Sequence, residues 1–372
     1  MAVSLIVGTK KGAAILTSDK DRQTWSGDFA LKGWPVTASA RDDEGRYYAA
    51  VANDVFGPAI FVSDDLKAWK QLESAPRFNP GDKGNEQHIR IAGSADFMGR
   101  YKDGPRLVDQ VWTLHAAHGA IYAGTSEAGL FATRDRGQSW EPVSGFNDHP
   151  NRANWEPGFG GLCAHTILSD KNNPNRMWVG VSSSGFFRTD DGGKTWNEKS
   201  KGVNTDTGIC VHHVTHDPAN PDVLFRQDHR GVYRSDDAGD TWLVTEHGLP
   251  GGELSDGHRC SFGFAIAMDR QSSSVFIAPL EGDNFRLPHN GQLAIYKSND
   301  KGMNWQPRKT GLPSHCYSGV LRGAMAADQL NPGGIYFGTS SGTIYASTDV
   351  GESWREVANE LPRISRFEAY AT

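Results

Sequence analysis

Reactive side chains are densest in the octapeptide PLEGDNFR at positions 279–286, where Glu281 and Asp283 stand two residues apart and Arg286 follows. Glycoside cleavage needs two carboxyl groups flanking the scissile bond, one to transfer a proton and one to attack or to activate water. Asp228 is a third carboxylate expected at the same end of the fold, and Arg286 suits an anion or sugar hydroxyls. The competing reading is a surface loop whose charges pair with one another and stay solvated. Three histidines, His165, His212 and His229, would join Glu281 or Asp283 as a nitrogen and oxygen shell for a divalent ion. Against that stands the ordinary role of imidazoles that hydrogen-bond within a fold or face water. Cys163, Cys210, Cys260 and Cys316 contain no C-x-x-C and read as small buried residues.

The elements that must position these groups come from a repeat. Trp25, Trp69, Trp140, Trp196, Trp242, Trp305 and Trp354 each close a similar phrase. It is clearest as TRDRGQSW at 133–140, TDDGGKTW at 189–196, SDDAGDTW at 235–242 and STDVGESW at 347–354. SNDKGMNW at 298–305 is a near match, SDDLKAW at 63–69 is one residue short, and TSDKDRQTW at 17–25 is one residue long. The pattern is Ser/Thr-x-Asp-x-Gly-x-Ser/Thr-Trp. Its hydroxyl and carboxylate can fold a turn onto local backbone. Its glycine supplies a positive φ, and its Trp carries a large ring into the core.

Strand-like runs flank every phrase. VWTLHAA, AIYAGTS, GLFAT and SWEPV surround the copy at 133–140, and the same order recurs along the chain, predicting four-stranded meanders. The chain starts on a second-strand-like run, SLIVGT, and ends on a first-strand-like run, SRFEAYAT. The expected fold is therefore all-β: one domain, 1–372, forming a seven-bladed β-propeller whose ring is closed by the C-terminal strand joining blade 1. Blade 1 takes 1–30 plus 363–372, blade 2 takes 36–73, blade 3 takes 111–143 and blade 4 takes 162–198. Blades 5, 6 and 7 take 211–244, 262–308 and 318–357.

In such a meander the repeated phrases share one face and the remaining connections share the other. The long connections 74–110, 144–161, 204–209, 247–261 and 281–291 all extend the second face, where a ligand site is expected. That face also collects His149, Trp155 and Glu156 ahead of blade 4, Glu127 in blade 3, Arg322 in blade 7 and Glu368 on the closing strand, all candidates for ligand binding.

Composition agrees with a turn-rich β protein: 372 residues, 37% hydrophobic, with 43 Gly and 11 Trp. The net charge of −6 disfavours nucleic acid and anionic membranes, which need a basic footprint. No run approaches the ~20 apolar residues of a membrane span. Four cysteines and the short apolar core of MAVSLIVGTKKG lead us to expect a cytoplasmic protein.

The repeated phrase resembles the Asp-box, or bacterial neuraminidase repeat (BNR), of sialidases, sortilin-like receptors and xyloglucanase-type glycosidases. The whole chain resembles a widespread bacterial propeller family known as exo-alpha-sialidase or glycosyl hydrolase. The segments KGWPV, GGLCAHT, DHRGVYRSDD, PLEGDNFR, GLP followed by VLRGAMA, and YFGTSSG carry that resemblance. It implies a hydrolase or lyase acting on a small or sugar-like ligand, with possible assistance from a divalent metal. Sialidases, however, are six-bladed, carry an Arg-Ile-Pro motif absent here, and place three arginines and a Tyr nucleophile on the substrate. Arg226, Arg286, Arg322 and Tyr317 offer those residue types without that family's order, so a true sialidase is not expected. The alternative is a non-catalytic propeller that binds a ligand or a protein partner, as Asp-box assembly factors and receptors do.

Overall fold

The computed structural model describes residues 1–53, 57–79, 81–82, 106–155, 157, 161–204 and 210–372. The repeated phrase folds as its chemistry requires. In the copy ending at Trp140, Thr133 Oγ1 donates to Asp135 Oδ1 at 2.7 Å and accepts from Gly137 N at 2.8 Å. Asp135 then accepts from Ser139 N at 2.9 Å and from Ser139 Oγ at 2.6 Å. The same four bonds recur around Asp191, Asp237 and Asp349, and around Asp300 with Asn304 in place of the hydroxyl residue. The glycine of each complete copy has φ between 79° and 92°, a region closed to most side chains. In the short and long copies Asp65 and Asp19 still accept from the backbone three or four residues on.

Each phrase joins the third and fourth strands of an antiparallel sheet. In chain order, β1 (Val3–Thr9), β2 (Gly12–Ser18) and β3 (Trp25–Ala30) pair consecutively. β4 (Val36–Arg41), β5 (Tyr47–Asn53), β6 (Gly57–Ser63) and β7 (Lys70–Gln71) make the next meander. β8 (Val111–Ala117), β9 (Ala120–Thr125), β10 (Leu130–Thr133) and β11 (Glu141–Pro142) follow, then β12 (Ala164–Asp170), β13 (Asn173–Val181), β14 (Gly185–Thr189) and β15 (Asn197–Glu198). β16 (Val211–His216), β17 (Leu224–Asp228), β18 (Gly231–Ser235) and β19 (Leu243–Val244) form another sheet. A hairpin of β20 (Gly252–Glu253) and β21 (Arg259–Cys260) precedes β22 (Phe262–Met268), β23 (Val275–Leu280), β24 (Ile295–Ser298) and β25 (Gln306–Arg308). The last strands are β26 (Val320–Ala327), β27 (Ile335–Thr339), β28 (Ile344–Ser347), β29 (Arg355–Ala358) and β30 (Ile364–Ala371). β30 pairs antiparallel with β1 from Val3↔Ala371 to Thr9↔Ile364, and touches β26 through a parallel bridge at Gly323↔Arg366.

Fourth strands are shorter than the sequence pattern predicts: β11, β15 and β19 have two residues each. The phrase keeps the chain in a turn until its Trp, so pairing begins only one residue beyond it. Among the described residues, helix is confined to one four-residue turn, Ser144–Asn147, and short 3-10 turns.

The chain divides into two compact units, one of Met1–Gly33, Lys201–Asn204 and His212–Thr372, the other of Trp34–Ser200 and Thr205–Val211. In the first, Val3, Leu5, Phe276, Ile295, Phe337 and Trp354 belong to one buried cluster. In the second, Phe146, Trp155, Phe187 and Trp196 pack together, and a separate cluster holds Tyr48, Ile60, Leu114 and Ile121. Strands with every residue buried, such as β1 and β23, explain how so few long apolar runs make a core: both faces of a short strand are used.

Candidate functional site

Within the first unit, the ends of β17 and β23 bring together a set of polar and aromatic groups. β17 ends at Asp228, and the next residue, His229, turns its Nε2 to Asp283 Oδ2 at 3.2 Å. Asp283 stands three residues past β23 and accepts from Ser255 twice, N to Oδ1 at 2.9 Å and Oγ to Oδ2 at 2.7 Å. Burial alone would raise the Asp283 carboxyl; the two Ser255 bonds and His229 outweigh it and hold the group below the usual carboxylate range. Asp283 is therefore an ionised carboxylate at neutral pH, reached from two other segments. Glu281, on the same loop, accepts from Asn290 N at 3.0 Å.

His212 completes this set from β16. Its Nδ1 lies 2.6 Å from Gly263 O, an atom that can only accept, so Nδ1 carries the proton and Nε2 the lone pair. The ring stacks on Phe264 with centroids 4.5 Å apart and meets His229 edge-on at 5.7 Å. Burial, then the charges of Arg322, His229 and Arg286, push His212 well below the ordinary histidine value, so it stays neutral. Phe264 in turn lies under two guanidiniums, Arg286 at 5.2 Å and Arg322 at 5.8 Å from its centroid. Arg286 sits at φ 52° and donates from Nε to Asp283 O at 3.0 Å, which curls the loop over the aromatic pair. His229 is also lowered, chiefly by burial and against the pull of Asp283. Exposed aromatics flank the loop: Phe285 is 72% and Tyr317 69% accessible, and Tyr317 rests against the backbone at Gly291.

The other expected residues lie elsewhere. Asp228 is not at the surface: it is 2% exposed, 3.1 Å from Arg226 Nε, and accepts from Arg230 N at 2.7 Å. Burial pushes it up to about 6 against the pull of Arg226. It locks the end of β17 behind the site instead of facing a ligand. Tyr317 does stand near the Glu281 loop. Glu368 lies on β30, where Arg366 donates to its Oε1 at 2.8 Å.

In the second unit, His149 is buried with both nitrogens engaged, Nε2 on Trp196 O at 3.1 Å and Nδ1 accepting from Asn151 N at 3.1 Å. Trp155 is 4% exposed and packs on Phe187 and Phe146, so it is a core residue and not a platform for sugar. Glu127 sits at φ 57° and offers its backbone carbonyl to Arg152. His165 also has both nitrogens engaged, with Thr166 Oγ1 at 2.9 Å and Val211 O at 2.8 Å. The histidine shell expected from sequence therefore loses His165: neither nitrogen is left for an ion. Glu156 lies outside the described residues.

Ser255, Phe262 and Phe264 escaped the reading of the sequence. The pattern F-G-F at the start of β22 places Phe262 and Phe264 on one face of the strand, a period-two signal that could have been read. Ser255 had none, because its partner Asp283 is 28 residues away.

No protein-family model matches the chain. Over 344 residues, 89% of its length, the chain is 23% identical to the oligoxyloglucan-reducing end-specific xyloglucanase of Emericella nidulans, of which it covers 35%. Among solved structures it is similar to the GH74 xyloglucanase from Xanthomonas campestris, with a TM-score of 0.52 and 16% identity over 86% of this chain and 45% of that one. It is likewise similar to an ancestral GH74 enzyme, with a TM-score of 0.54 and 14% identity over 87% of this chain and 38% of that one. The WD40 β-propeller domain of Doa1 also matches, with a TM-score of 0.54 and 10% identity over 91% of this chain and 86% of that one. These likenesses show a β-propeller fold. The chain spans about a third of the curated relative it matches and under half of either GH74 structure.

Proposed function

We propose that this chain is a glycoside-hydrolase-like β-propeller that takes a carbohydrate at the loop of Glu281 and Asp283 and cleaves it with those two carboxyl groups. The observation that carries the reading is the Ser255–Asp283–His229 arrangement. It holds one carboxylate ionised, two residues along the same loop from a second carboxyl, and that loop also carries the exposed Phe285. Asp283, fixed by three donors, is the group that attacks or activates water. Glu281, with one backbone partner, is the group that exchanges a proton with the leaving oxygen. Arg286 and Tyr317 are placed to bind hydroxyls at the rim. Similarity along 89% of the chain to an enzyme named for oligoxyloglucan supports an oligosaccharide as substrate class. The repeated phrases are read as Asp-boxes of a seven-bladed ring, supported by their number and by the pairing of β1 with β30. True sialidase activity is not part of the proposal, since the sequence lacks that family's ordered arginines.

The test is reducing-sugar release from an oligoxyloglucan panel, with sialosides alongside and binding measured by calorimetry. Asp283→Asn and Glu281→Gln should each lower turnover about 10²–10⁴-fold while oligosaccharide still binds. Turnover unchanged in both variants would remove the catalytic assignment. Binding without any turnover in the unaltered protein would establish the alternative, a non-catalytic sugar-binding propeller. Absence of both would reject the carbohydrate reading.

A further inference from the structure

His229 has a second ring nitrogen besides the one that faces Asp283, and two further donor side chains lie close to it. Cys210 immediately precedes β16 and His212 is the second residue of that strand; side chains two positions apart along a strand share a face. His229 follows the last residue of β17. Cys210, His212 and His229 each bring one ligand atom to this point, and the three atoms lie within 4.8 Å of one another. Tetrahedral zinc, with sulfur at about 2.3 Å and nitrogen at about 2.0 Å, spaces its ligand atoms about 3.3–3.6 Å apart. Shifts of about 1 Å therefore complete the sphere. Among the described residues no other histidine, cysteine and carboxylate side chains form such a group.

The hydrogen bonds around both rings are those of metal-bound imidazoles, which hold their second N–H on a carbonyl or a carboxylate. His212 Nδ1 donates to Gly263 O at 2.6 Å, which leaves Nε2 its lone pair. His229 Nε2 faces the Asp283 carboxylate at 3.2 Å, so the proton sits there and Nδ1 keeps its lone pair. Phe264 stacks on His212, and Phe262 meets the two rings edge-on at 5.1 and 5.4 Å, which holds them in place. Two of the other cysteines are turned elsewhere: Cys260 Sγ to His229 O at 3.5 Å and Cys316 Sγ to Ser318 O at 3.7 Å. An ion binds the Cys210 thiolate in place of the thiol proton, so a hydrogen bond from that thiol is exchanged and is no obstacle. Cys210 and His229 are both partly exposed, which gives an ion its way in. One thiolate with two imidazoles suits zinc and its transition-metal neighbours, whereas magnesium and calcium take oxygen.

We propose that Cys210, His212 and His229 bind one zinc-type divalent ion through a thiolate and two imidazole nitrogens. Cys210 thus takes the place in the shell that the sequence offered to His165. Three protein ligands leave the fourth tetrahedral position to water or to an oxygen of a bound molecule, as in reactive zinc sites. Asp283 is then an outer partner of the ion through His229. The site stands whether or not Glu281 and Asp283 cleave a sugar.

The experiment is isothermal titration of the full chain, stripped with a chelator and kept reduced, with zinc and separately with magnesium. Zinc should bind at one ion per chain, and magnesium should not bind. Cobalt(II) in place of zinc should give the near-ultraviolet thiolate-to-cobalt absorption that a sulfur ligand produces, a readout that needs no variant. Cys210→Ser, nearly the same in shape, should abolish that absorption and weaken zinc about tenfold or more, while Cys260→Ser leaves both unchanged. His229→Gln should weaken zinc by a similar factor. Circular dichroism of the stripped Cys210→Ser protein, matched to the unaltered chain, separates loss of a ligand from loss of fold. The proposal is overturned if zinc does not bind, if Cys210→Ser binds it as tightly as the unaltered protein, or if cobalt shows no sulfur absorption. Hydrolysis does not enter the readout, so failure here leaves the roles of Glu281 and Asp283 to their own test.

Discussion

Replacing Asp283 by Asn removes a charge from beside His229 while keeping the size of the side chain, so its effect on that imidazole can be worked out. Unit charges ~4 Å apart interact by about 1 kcal/mol in water and about 4 kcal/mol at an effective dielectric of 20. The Asp283 and His229 side chains are 12% and 28% exposed and their hydrogen-bonding atoms are 3.2 Å apart, which places the pair between those limits. We take about 1.5 kcal/mol, equivalent to about one pH unit. The sign follows from the chemistry: a carboxylate favours imidazolium, so its removal lowers the histidine midpoint. That midpoint already lies below 6.5 in the unaltered protein, because burial outweighs Asp283. The Asp283→Asn variant should therefore titrate His229 about one unit lower still. Proton–nitrogen correlation spectra of histidine-labelled protein would follow the ring through pH 4–8, with His229 assigned through His229→Gln and a chelator present throughout. A midpoint that stays put, or rises, would mean that Asp283 is not an ionised partner of His229. The catalytic role drawn from that ionised carboxylate would fall with it.

Three further outcomes test the scaffold. Asp191 is held down at about 2 because Thr195, through its backbone N–H and then its hydroxyl, binds the carboxylate, so its contribution to stability is complete above the ordinary value of 3.8 and disappears as pH falls through 2. Asp191→Asn should lower the melting temperature at pH 6 and converge on the unaltered protein as pH falls to 2 and below; a gap that persists in acid would contradict this. Asp228→Ala takes the carboxylate from Arg226, whose side chain is fully buried, and should cost about 3–5 kcal/mol in urea unfolding. A loss below about 1 kcal/mol would show that Arg226 does not depend on it. Trp354→Ala should cost about 3–5 kcal/mol, because the ring is 4% exposed and packs edge-on to Phe337 at 5.0 Å. A smaller loss would show that the box tryptophans fill space that neighbours can close.

The repeat was legible because everything it does is local. Thr189, Asp191, Gly193 and Thr195 bond to one another within seven residues, so hydroxyl, carboxylate, glycine and spacing are all visible in one phrase. β8, β9 and β10 likewise fall where alternation and turn residues put them. The candidate site was legible only as composition. Glu281, Asp283 and Arg286 stood out as a polar run, but His149, His165 and Asp228 are equally reactive types in the sequence, and they serve backbone and a buried arginine instead. What separates the groups is the partner each side chain finds across many residues, and no local pattern encodes that.

That contrast bears on how Asp283 should be understood. It and Asp191 are both carboxylates held below their ordinary range by Ser or Thr donors, and a hydrogen-bond inventory alone would class them together. Asp191 closes its bonds within four residues in either direction, which makes a turn that folds by itself and needs nothing from its neighbours. Asp283 takes Ser255 from 28 residues away and His229 from 54, so its bonds exist only after two sheets and the β20–β21 hairpin are in place. Ordering three distant segments around one charge costs conformational entropy that a solvated loop aspartate would never require. A further distinction is what the bonds lead to: the Asp283 side chain is 12% exposed, Arg286 donates to its backbone carbonyl, and its partner His229 meets Phe262 and a neutral His212 edge-on. A charge assembled at long range, partly desolvated and linked to aromatic and cationic groups is the arrangement that enzymes use to set a carboxylate to work. The Asp283→Asn and Asp191→Asn variants should accordingly separate cleanly, the first changing a neighbour's titration and ligand turnover, the second changing only stability above pH 2.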